Sequence, residues 1–385
     1  MYGRTKIAIL AAATLGALAF PAAASASASA GSPAEAASVS TTCPDTTHHE
    51  DAAQDGYNCS TISQAPAQLW STTLSANASY PVIAGGRVFV TTDLADGSYG
   101  GDLYALSAKT GKVLWGPVAL TGTYYWFALT YDAGRVFVDN SDGTVTAFAA
   151  ATGTEDWSTS ASYIGGEPVA ADGTVWLQGA NSLYGLSEQT GAVLEQSAEL
   201  DGEGATPAVN SAGVFLSAGC SQFRLSLSAT VVWTDNSGCT GGGNAPTSLS
   251  NGRVYSGEGS EILAQSTGKS LGTYTGSPAF AGTTGYFANG DGVSASSVKT
   301  GEALWSVTLA ASVVYGPVVT PSAVWVATSN SDLVELDPSN GDVLSTLPLP
   351  AAPEYGGQYH SVPTDLGVGN NIVVVPTGPT VTAFG

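Results

Sequence analysis

The sequence predicts an all-β fold, an eight-bladed β-propeller of four-stranded blades whose last blade is completed by an N-terminal strand. Three observations support this prediction. A short motif returns with a period near forty residues, each copy has the pattern of four strands, and the two chain ends carry complementary parts of one copy. Periods of this length are typical of solenoids and propellers, and copies without a helical pattern favour the propeller.

The chain begins with a segment typical of exported proteins. Arg4 and Lys6 precede the uncharged apolar run 7–20, and Ala-x-Ala triplets follow within 24–30. This order predicts a secretory signal peptide over residues 1–30, because the apolar run is too short to span a membrane. We therefore expect a secreted, extracellular protein of the cell envelope with no transmembrane segment.

Residues 31–65 are rich in Ala, Ser and Thr and predict a flexible N-terminal segment ahead of a propeller over 66–385. Cys43 and Cys59 lie close together in this segment and are expected to form a disulfide loop in an oxidising compartment. The stretch HHEDAAQD (48–55) offers imidazole and carboxylate ligands for a transition metal. The preferred interpretation is a solvated, disordered tail.

The composition limits the possible partners. The 385 residues include 10 Lys and Arg against 31 Asp and Glu, which gives a net charge of −21. A surface of this sign repels nucleic acid, so no nucleic-acid partner is expected. Low overall charge with 48 glycines fits strands joined by tight turns. We expect a monomer.

The copies are counted from the Gly of a TG or NG turn. The spacings between successive markers are 42, 38, 77, 33 and 40, and the interval of 77 contains a degenerate copy, FRLSLSATVVW (223–233), with Ala229 in the Gly position. The markers are Gly111, Gly153, Gly191, Gly268, Gly301 and Gly341. Seven internal copies and one blade shared between the chain ends make eight.

The strands follow a fixed order within each copy. A Pro-led segment such as YPVIAGG (80–86) precedes a β-rich run such as RVFVTT (87–92), and the LYAL strand, the turn and a Trp strand follow. The chain ends with two strands (370–385) that lack a Trp strand, and it supplies that strand at 65–74. The N-terminal strand is therefore expected to close the ring, which removes open sheet edges.

The motif LYALSAKTGKVLW (103–115) resembles the repeat of the PQQ-like β-propeller family, and the resemblance covers roughly residues 66–385. It implies that the Trp packs between neighbouring blades and that the Gly permits the turn. Trp occupies five of the eight positions: Trp70, Trp115, Trp157, Trp233 and Trp305. Glu195, Gly272 and Ser345 replace it in the other three.

The resemblance also implies a possible enzyme, since the family includes quinone-dependent dehydrogenases. Those enzymes are longer, with insertions around the cofactor, a calcium held by acidic and amide side chains, and an Asp base. Blades of about forty residues have the length of the bare repeat. We therefore expect no cofactor, no catalytic residue and no metal site. DLADGSYGGD (93–102) lacks the spacing of a calcium loop and is interpreted as a turn.

The connections from each Trp strand to the next blade emerge on one face, and several are aromatic. They predict an acidic funnel at the channel mouth that binds a protein, a peptide or a glycan. Its candidate residues are Tyr80, Tyr124, Trp126, Tyr163, Glu167, Tyr315, Tyr359 and His360. The alternative that these rings only fill a narrow axis stays open. Cys220 and Cys239 fall on the same face and are predicted to form the second disulfide.

The predicted function is a secreted, non-catalytic binding or scaffolding propeller at the bacterial cell surface, with an unknown partner. The alternative is a quinoprotein-like, carbohydrate-processing or peptide-processing enzyme that uses the aromatic, acidic channel mouth. Hydrolysis of a glycan would need paired carboxylates at a defined separation, which a sequence does not reveal.

Overall fold

The computed structural model describes residues 43–64, 66–124, 127–161, 166–200, 206–236, 246–257, 259–354 and 362–385. The elements found there are strands β1 to β32, which form eight four-stranded sheets. Every pairing within a sheet is antiparallel and joins sequence neighbours, except at the closure between the chain ends. The predicted eight-bladed, all-β architecture is confirmed.

Within each blade the strands are called a to d in the order of the chain, and blade 8 takes its strand d from the N-terminus. Blade 1 contains β2 (Val82–Ala84), β3 (Arg87–Thr92), β4 (Gly101–Ser107) and β5 (Val113–Leu120). Blade 2 contains β6 (Phe127–Asp132), β7 (Arg135–Asn140), β8 (Thr144–Ala149) and β9 (Glu155–Ser160). Blade 3 contains β10 (Val169–Ala171), β11 (Thr174–Gln178), β12 (Leu183–Ser187) and β13 (Val193–Gln196). Blade 4 contains β14 (Ala208–Asn210), β15 (Gly213–Ala218), β16 (Ser221–Leu225) and β17 (Val231–Asp235).

The second half of the ring repeats this arrangement. Blade 5 contains β18 (Ser248–Ser250), β19 (Arg253–Tyr255), β20 (Glu261–Ala264) and β21 (Ser270–Thr273). Blade 6 contains β22 (Ser277–Ala281), β23 (Thr284–Asn289), β24 (Gly292–Ser297) and β25 (Ala303–Thr308). Blade 7 contains β26 (Val313–Val319), β27 (Val324–Thr328), β28 (Asp332–Leu336) and β29 (Val343–Pro348). Blade 8 contains β30 (Gly367–Gly369), β31 (Ile372–Thr377), β32 (Thr380–Phe384) and β1 (Gln68–Thr73).

The a strands of neighbouring blades contact each other, so they surround the central channel. The ring has two faces. The b–c turns, such as 93–100, and the d–a connections, such as 121–124, form the mouth face. The a–b turns, such as 85–86, and the c–d turns, such as 108–112, form the turn face.

The ring closes as predicted, because β1 pairs with β32 over residues 68–73 and 380–384. The apolar cores lie between blades, and one of them joins blade 8 to blade 1 through Trp70, Val374 and Leu106. The two ends of the propeller chain are therefore held by backbone pairing and by a shared core.

Five tryptophans of the d strands join each blade to the next. Each indole N–H donates to a backbone carbonyl in the next blade's c–d turn, as Trp115 does to Ala150 at 3.0 Å. The ring also lies flat against the marker glycine of that turn, where a Cβ on Gly153 would stand 2.6 Å from Trp115. The other pairs are Trp70 with Gly111, Trp157 with Gly191, Trp233 with Gly268 and Trp305 with Gly341. The structural role implied by the resemblance is confirmed.

Where strand d lacks the Trp, the contact with the marker glycine of the next blade is also missing. Blade 3 has Glu195 in place of Trp, and the c–d turn that follows it, in blade 4, has Ala229 in place of Gly. Blade 5 has Gly272 in place of Trp, and a Cβ on the next marker, Gly301, would meet no atom within 4 Å. In blades 3 and 7 a buried Trp stands on strand b instead, as Trp176 and Trp325. In both blades a large aromatic side chain is thus kept, two strands away from the usual position.

The prediction of a flexible, solvated segment is wrong for residues 43–60. Residues 43–60, called the plug, lie in the central channel and bond to the a strand, or to the residue beside it, in every blade. Backbone pairs join Asp45 to Ile83 of blade 1 and Gly56 to Val319 of blade 7. Polar side chains that suggested solvation, such as Glu50 and Gln54, are buried. The compositional argument failed because the blades supply partners that the segment lacks by itself: Glu50 accepts from the Val368 N–H of blade 8 at 2.9 Å, and the plug backbone bonds to the a strands.

Candidate functional site: the plugged channel and its mouth

The plug is tied to the ring mainly by its backbone carbonyls. They accept from Tyr131 of blade 2, Val209 of blade 4, Leu249 of blade 5, Phe280 of blade 6 and Asn370 of blade 8, over 2.6–2.9 Å. Blade 3 differs, because its contact is the Thr47 hydroxyl donating to the carbonyl of Pro168 at 2.9 Å. The predicted Cys43–Cys59 disulfide is confirmed, and it joins the two ends of the plug.

Between Thr47 and Asp51 the plug presents two histidines to the mouth side of the channel. The His48 Nε2 atom lies 3.6 Å from Asp365 Oδ2, and the His48 ring meets the Tyr80 ring edge-on at a centroid distance of 5.2 Å. Asp365 is fixed in turn, since its Oδ1 atom accepts from the backbone N–H of Gly316 at 2.8 Å. The interpretation of His48 as part of a solvated tail is therefore wrong.

Burial disfavours the charged form of His48, but the nearby carboxylates of Glu167 and Asp365 outweigh it and raise the pKa of His48 above its usual value. Burial and the neighbouring charge of His48 lower the pKa of His49. The neighbouring carboxylates therefore favour the protonated form of His48, whereas burial favours the neutral form of His49.

Two further acidic side chains of this region are buried. Asp139 is fully buried at the end of β7, and burial together with the charge of Glu167 raises its pKa well above the usual value. Burial and the Glu50 carboxylate do the same for the pKa of Asp45 in the plug, where the Asp45 carboxyl also lies near Asp365. Burial therefore shifts both carboxyl groups toward their protonated form.

A cavity of about 160 Å³ lies above the two histidines. Its walls come from blades 5 to 8, with Ser248, Tyr274, Pro278, Gly316 and Asp365 among the lining residues. Pockets for drug-sized ligands and cofactors are usually about 300–1,000 Å³. The cavity is therefore suited to a side chain or a small group at the tip of a larger ligand.

The predicted site residues do not form one surface: some are buried between blades and others lie at the rim. Tyr80 is 1% exposed, and its hydroxyl donates to the Leu129 carbonyl at 2.6 Å. Tyr315 is 2% exposed, and its hydroxyl donates to the backbone carbonyl of Glu354 at 2.9 Å. Both rings pack in the apolar cores between blades, Tyr80 between blades 1 and 2 and Tyr315 between blades 7 and 8. Only the Tyr80 ring reaches the described mouth, through its contact with His48.

Tyr124 is 44% exposed at the outer rim, where it meets Tyr99 edge-on. Glu167 lies close enough to His48 to influence its charge, and its backbone N–H donates to Thr206 Oγ1. The predicted residues outside the described ranges are Trp126, Tyr163, Tyr359 and His360. Cys220 is disulfide-bonded, and its predicted partner Cys239 also lies outside the described residues.

Sequence reasoning missed three residues of the mouth. The composition around His48 predicts a tail, and neither Asp139 nor Asp365 is among the candidate residues that the sequence indicates. A signal for Asp139 did exist, because a carboxylate stands where the equivalent strand b residues are Thr91 and Ser217. Nothing in the local pattern around Asp365 marks it, since its role depends on a partner more than 300 residues earlier in the chain.

The described fold and site define a PQQ-type eight-bladed propeller whose channel is filled by its own N-terminal segment. The chain belongs to the family whose model is described as outer membrane protein assembly factor BamB, which matches residues 61–222 and 224–381. No curated protein matches the chain.

Solved structures with the same architecture include proteins of different kinds. BamB from Moraxella catarrhalis is 16% identical with a TM-score of 0.62, over 83% of this chain and 99% of that one. The computationally designed Ika8 protein is 18% identical with a TM-score of 0.66, over 82% and 99%. Quinohemoprotein alcohol dehydrogenase from Comamonas testosteroni is 13% identical with a TM-score of 0.65, over 89% and 80%. At these identities the likeness shows the fold alone.

The residues present do not fit a quinone with its calcium ion. The plug crosses the channel and is bonded to blades all round the ring, and the cavity on its mouth side is only about 160 Å³. Within the described ranges, no group of three or more His, Cys, Asp or Glu side chains has a metal-holding arrangement. The same ranges contain no helix that could cross a membrane.

Proposed function

We propose that this protein is a non-catalytic binding propeller of the bacterial cell envelope, which is exported and holds a protein partner on its mouth face. The observation that carries the proposal is the plug. Its carbonyls take the hydrogen-bonding positions of the a strands in most blades, so the channel serves as a rigid support for the mouth rather than as a substrate chamber.

Two further findings support this function. The matching family model is described as an assembly factor, and BamB from Moraxella catarrhalis shares the fold. The mouth also has fixed charges at defined positions: His48 is held by Asp365, which is held by the N–H groups of Gly316 and Leu366. Preorganised charges of this kind favour recognition, because their orientation needs no ordering when a partner binds.

The test uses the exported protein, purified with an affinity tag, and an envelope extract of the source culture. We expect one stoichiometric partner whose capture falls when Asp365 is changed to Asn. A matched control, Asp342→Asn, removes the same charge from an exposed c–d turn on the opposite face. Equal loss of the partner with both variants, or no saturable partner, would overturn the assignment to the mouth.

The enzymatic alternative keeps one supporting observation, since a quinohemoprotein alcohol dehydrogenase shares the fold. It is tested separately, with pyrroloquinoline quinone, Ca²⁺ and an electron-accepting dye added to the purified protein. We expect no dye-linked oxidation of alcohols or aldehydes, and no rise in melting temperature upon addition of the quinone and Ca²⁺. Turnover that Asp365→Asn or Glu167→Gln abolishes would establish the enzyme instead.

A further inference from the structure

A second cavity, on the turn face, lies on the far side of the plug from the mouth. Its volume is about 480 Å³, three times that of the mouth cavity and within the usual range for ligand pockets. It is lined by blades 2, 3 and 4 and by two plug residues, Thr46 and Ala52.

The cavity exists because the plug leaves blade 3 without a backbone contact on this face. The plug turns toward the mouth after Thr46 and returns to the turn face at Ala52. In blade 4, Val209 donates its N–H to the plug, whereas the equivalent Ala170 of blade 3 donates to the Thr130 hydroxyl at 3.2 Å. One position of an otherwise continuous ring of plug contacts is therefore open.

The side chains around this opening combine an apolar wall with acids. Ala171, Val209 and Leu227 are apolar, and Tyr131 and Trp176 add aromatic rings. Asp132 and Asp172 carry the charges, and no Lys or Arg is among the lining residues. Leu227 is 45% exposed, so the apolar wall is open to solvent at one end.

Beside the cavity, Glu188 adds a third carboxyl group. It is 3% exposed, and its Oε1 atom finds no hydrogen-bond partner among the described residues. Burial and the neighbouring Asp132 raise the pKa of Glu188 to about 7. Arg135 stands opposite Asp132 in the β6–β7 register and partly offsets this rise, but its guanidinium pairs with Asp156 at 2.9 Å. One cation therefore serves several carboxyl groups at this edge.

We propose that the turn-face cavity binds an organic cation, an alkylammonium or guanidinium group on an apolar stem, which is the chemistry of a lysine or arginine side chain. The stem lies against Ala171, Val209 and Trp176, and the charged group meets Asp132 and Asp172. The aromatic rings add cation–π attraction. The net charge of −21 draws such ligands toward the protein.

Calorimetric titration of the purified exported protein tests this proposal with three probes. Nα-acetyl-lysine amide represents a side chain of a partner protein, 1,5-diaminopentane represents a free amine, and N-acetyl-norleucine amide is the uncharged control. We expect saturable binding of one or both cations that weakens as salt is added, and none of the norleucine compound. Tighter binding of the lysine compound identifies a protein partner, and tighter binding of the diamine identifies a small amine.

Two variants locate the site. Asp172→Asn removes one charge at a position with φ near +53°, which Asn also tolerates, and should weaken binding roughly tenfold. Ala171→Leu narrows the cavity and should abolish binding, with the melting temperature as a check on folding. Asp291→Asn, on an exposed turn of the mouth face, is the control and should change nothing. Binding that survives Asp172→Asn unchanged, falls equally with Asp291→Asn, or includes the norleucine compound would overturn the proposal.

Discussion

Changing Gly153 to Ala measures directly what the tryptophan–glycine contact between blades contributes to stability. Gly153 has φ near +72°, and a Cβ there would stand 2.6 Å from Cε3 of Trp115. Gly301 has the same φ of +72° in an equivalent turn, but a Cβ there would meet no atom within 4 Å. The pair of variants therefore separates the steric contact from the backbone conformation.

Both variants carry the cost of placing Ala in a left-handed conformation, about 1–2 kcal/mol. Gly153→Ala must also displace the Trp115 ring, which packs on Phe89 and donates to Ala150 at 3.0 Å. Overpacking costs about 1–3 kcal/mol, and weakening the hydrogen bond adds about 0.5–1.5 kcal/mol. We expect Gly153→Ala to be the less stable of the two by about 2–4 kcal/mol.

Thermal unfolding monitored by calorimetry measures the difference. At about 2.1 cal/mol/K per residue, the unit of residues 42–385 unfolds with an entropy near 0.7 kcal/mol/K, so the two melting temperatures should differ by about 3–6 °C. With Trp115→Ala as background, Gly153→Ala should cost no more than Gly301→Ala does in the native chain. Equal melting temperatures for the two single variants would refute the steric argument.

The remaining predictions concern the plug and the second disulfide. Replacing Cys43 and Cys59 together by Ser should lower stability by about 3 kcal/mol, because the loop between them then gains freedom in the unfolded chain, and a calorimetric melt beside the native protein measures it. An unchanged melt would show that the blades alone hold the plug. Replacing Cys220 and Cys239 by Ser should cost about 2–4 kcal/mol. Peptide mapping without reductant identifies the partner of Cys220, and a free thiol at Cys239 would contradict the predicted bond. The melting temperature should fall between pH 5 and pH 8, since burial and the charge of Asp51 raise the pKa of Asp55 to about 7. A carboxyl with a raised folded pKa stabilises fully below its unfolded pKa near 4 and loses that contribution as pH rises toward 7. The raised pKa of His48 also lowers stability as pH rises, whereas the lowered pKa of His49 has the opposite effect. Asp55→Asn should reduce the fall of the melting temperature with pH. An unchanged pH dependence in that variant would contradict the assignment of the effect to Asp55.

The blade count and the ring closure could be predicted because each depends on a pattern repeated along the chain. The marker glycines give the period, and β1 pairs with β32 because the first strand is what the last blade lacks. Repetition averages out local irregularities such as Ala229 in place of Gly. Each blade also contacts mainly its neighbours, so a local pattern is sufficient to specify it.

The plug could not be predicted, because it has no repeat and no periodicity of its own. Its burial depends on at least one contact with each of the eight blades, at residues between 83 and 370. Most of these contacts are made by a backbone carbonyl of the plug, which any sequence supplies. The composition of 43–60 describes a chain that cannot form a core by itself, and that description is correct. It does not exclude a segment that becomes buried through contacts with a propeller that surrounds it.

The same dependence explains why the candidate sites were only partly predicted. The predicted aromatic residues Tyr80, just before β2, and Tyr315, within β26, are buried, and their hydroxyls bond to carbonyls of the propeller. The titratable ring that faces the mouth cavity comes instead from His48, which the plug carries, and its partner Asp365 lies just before strand a of blade 8. Because the plug provides the floor of both cavities, a change that loosens it should affect the two together. Loss of binding at one face upon replacement of Cys43 and Cys59, with the other face unaffected, would show that the blades alone shape the surviving site.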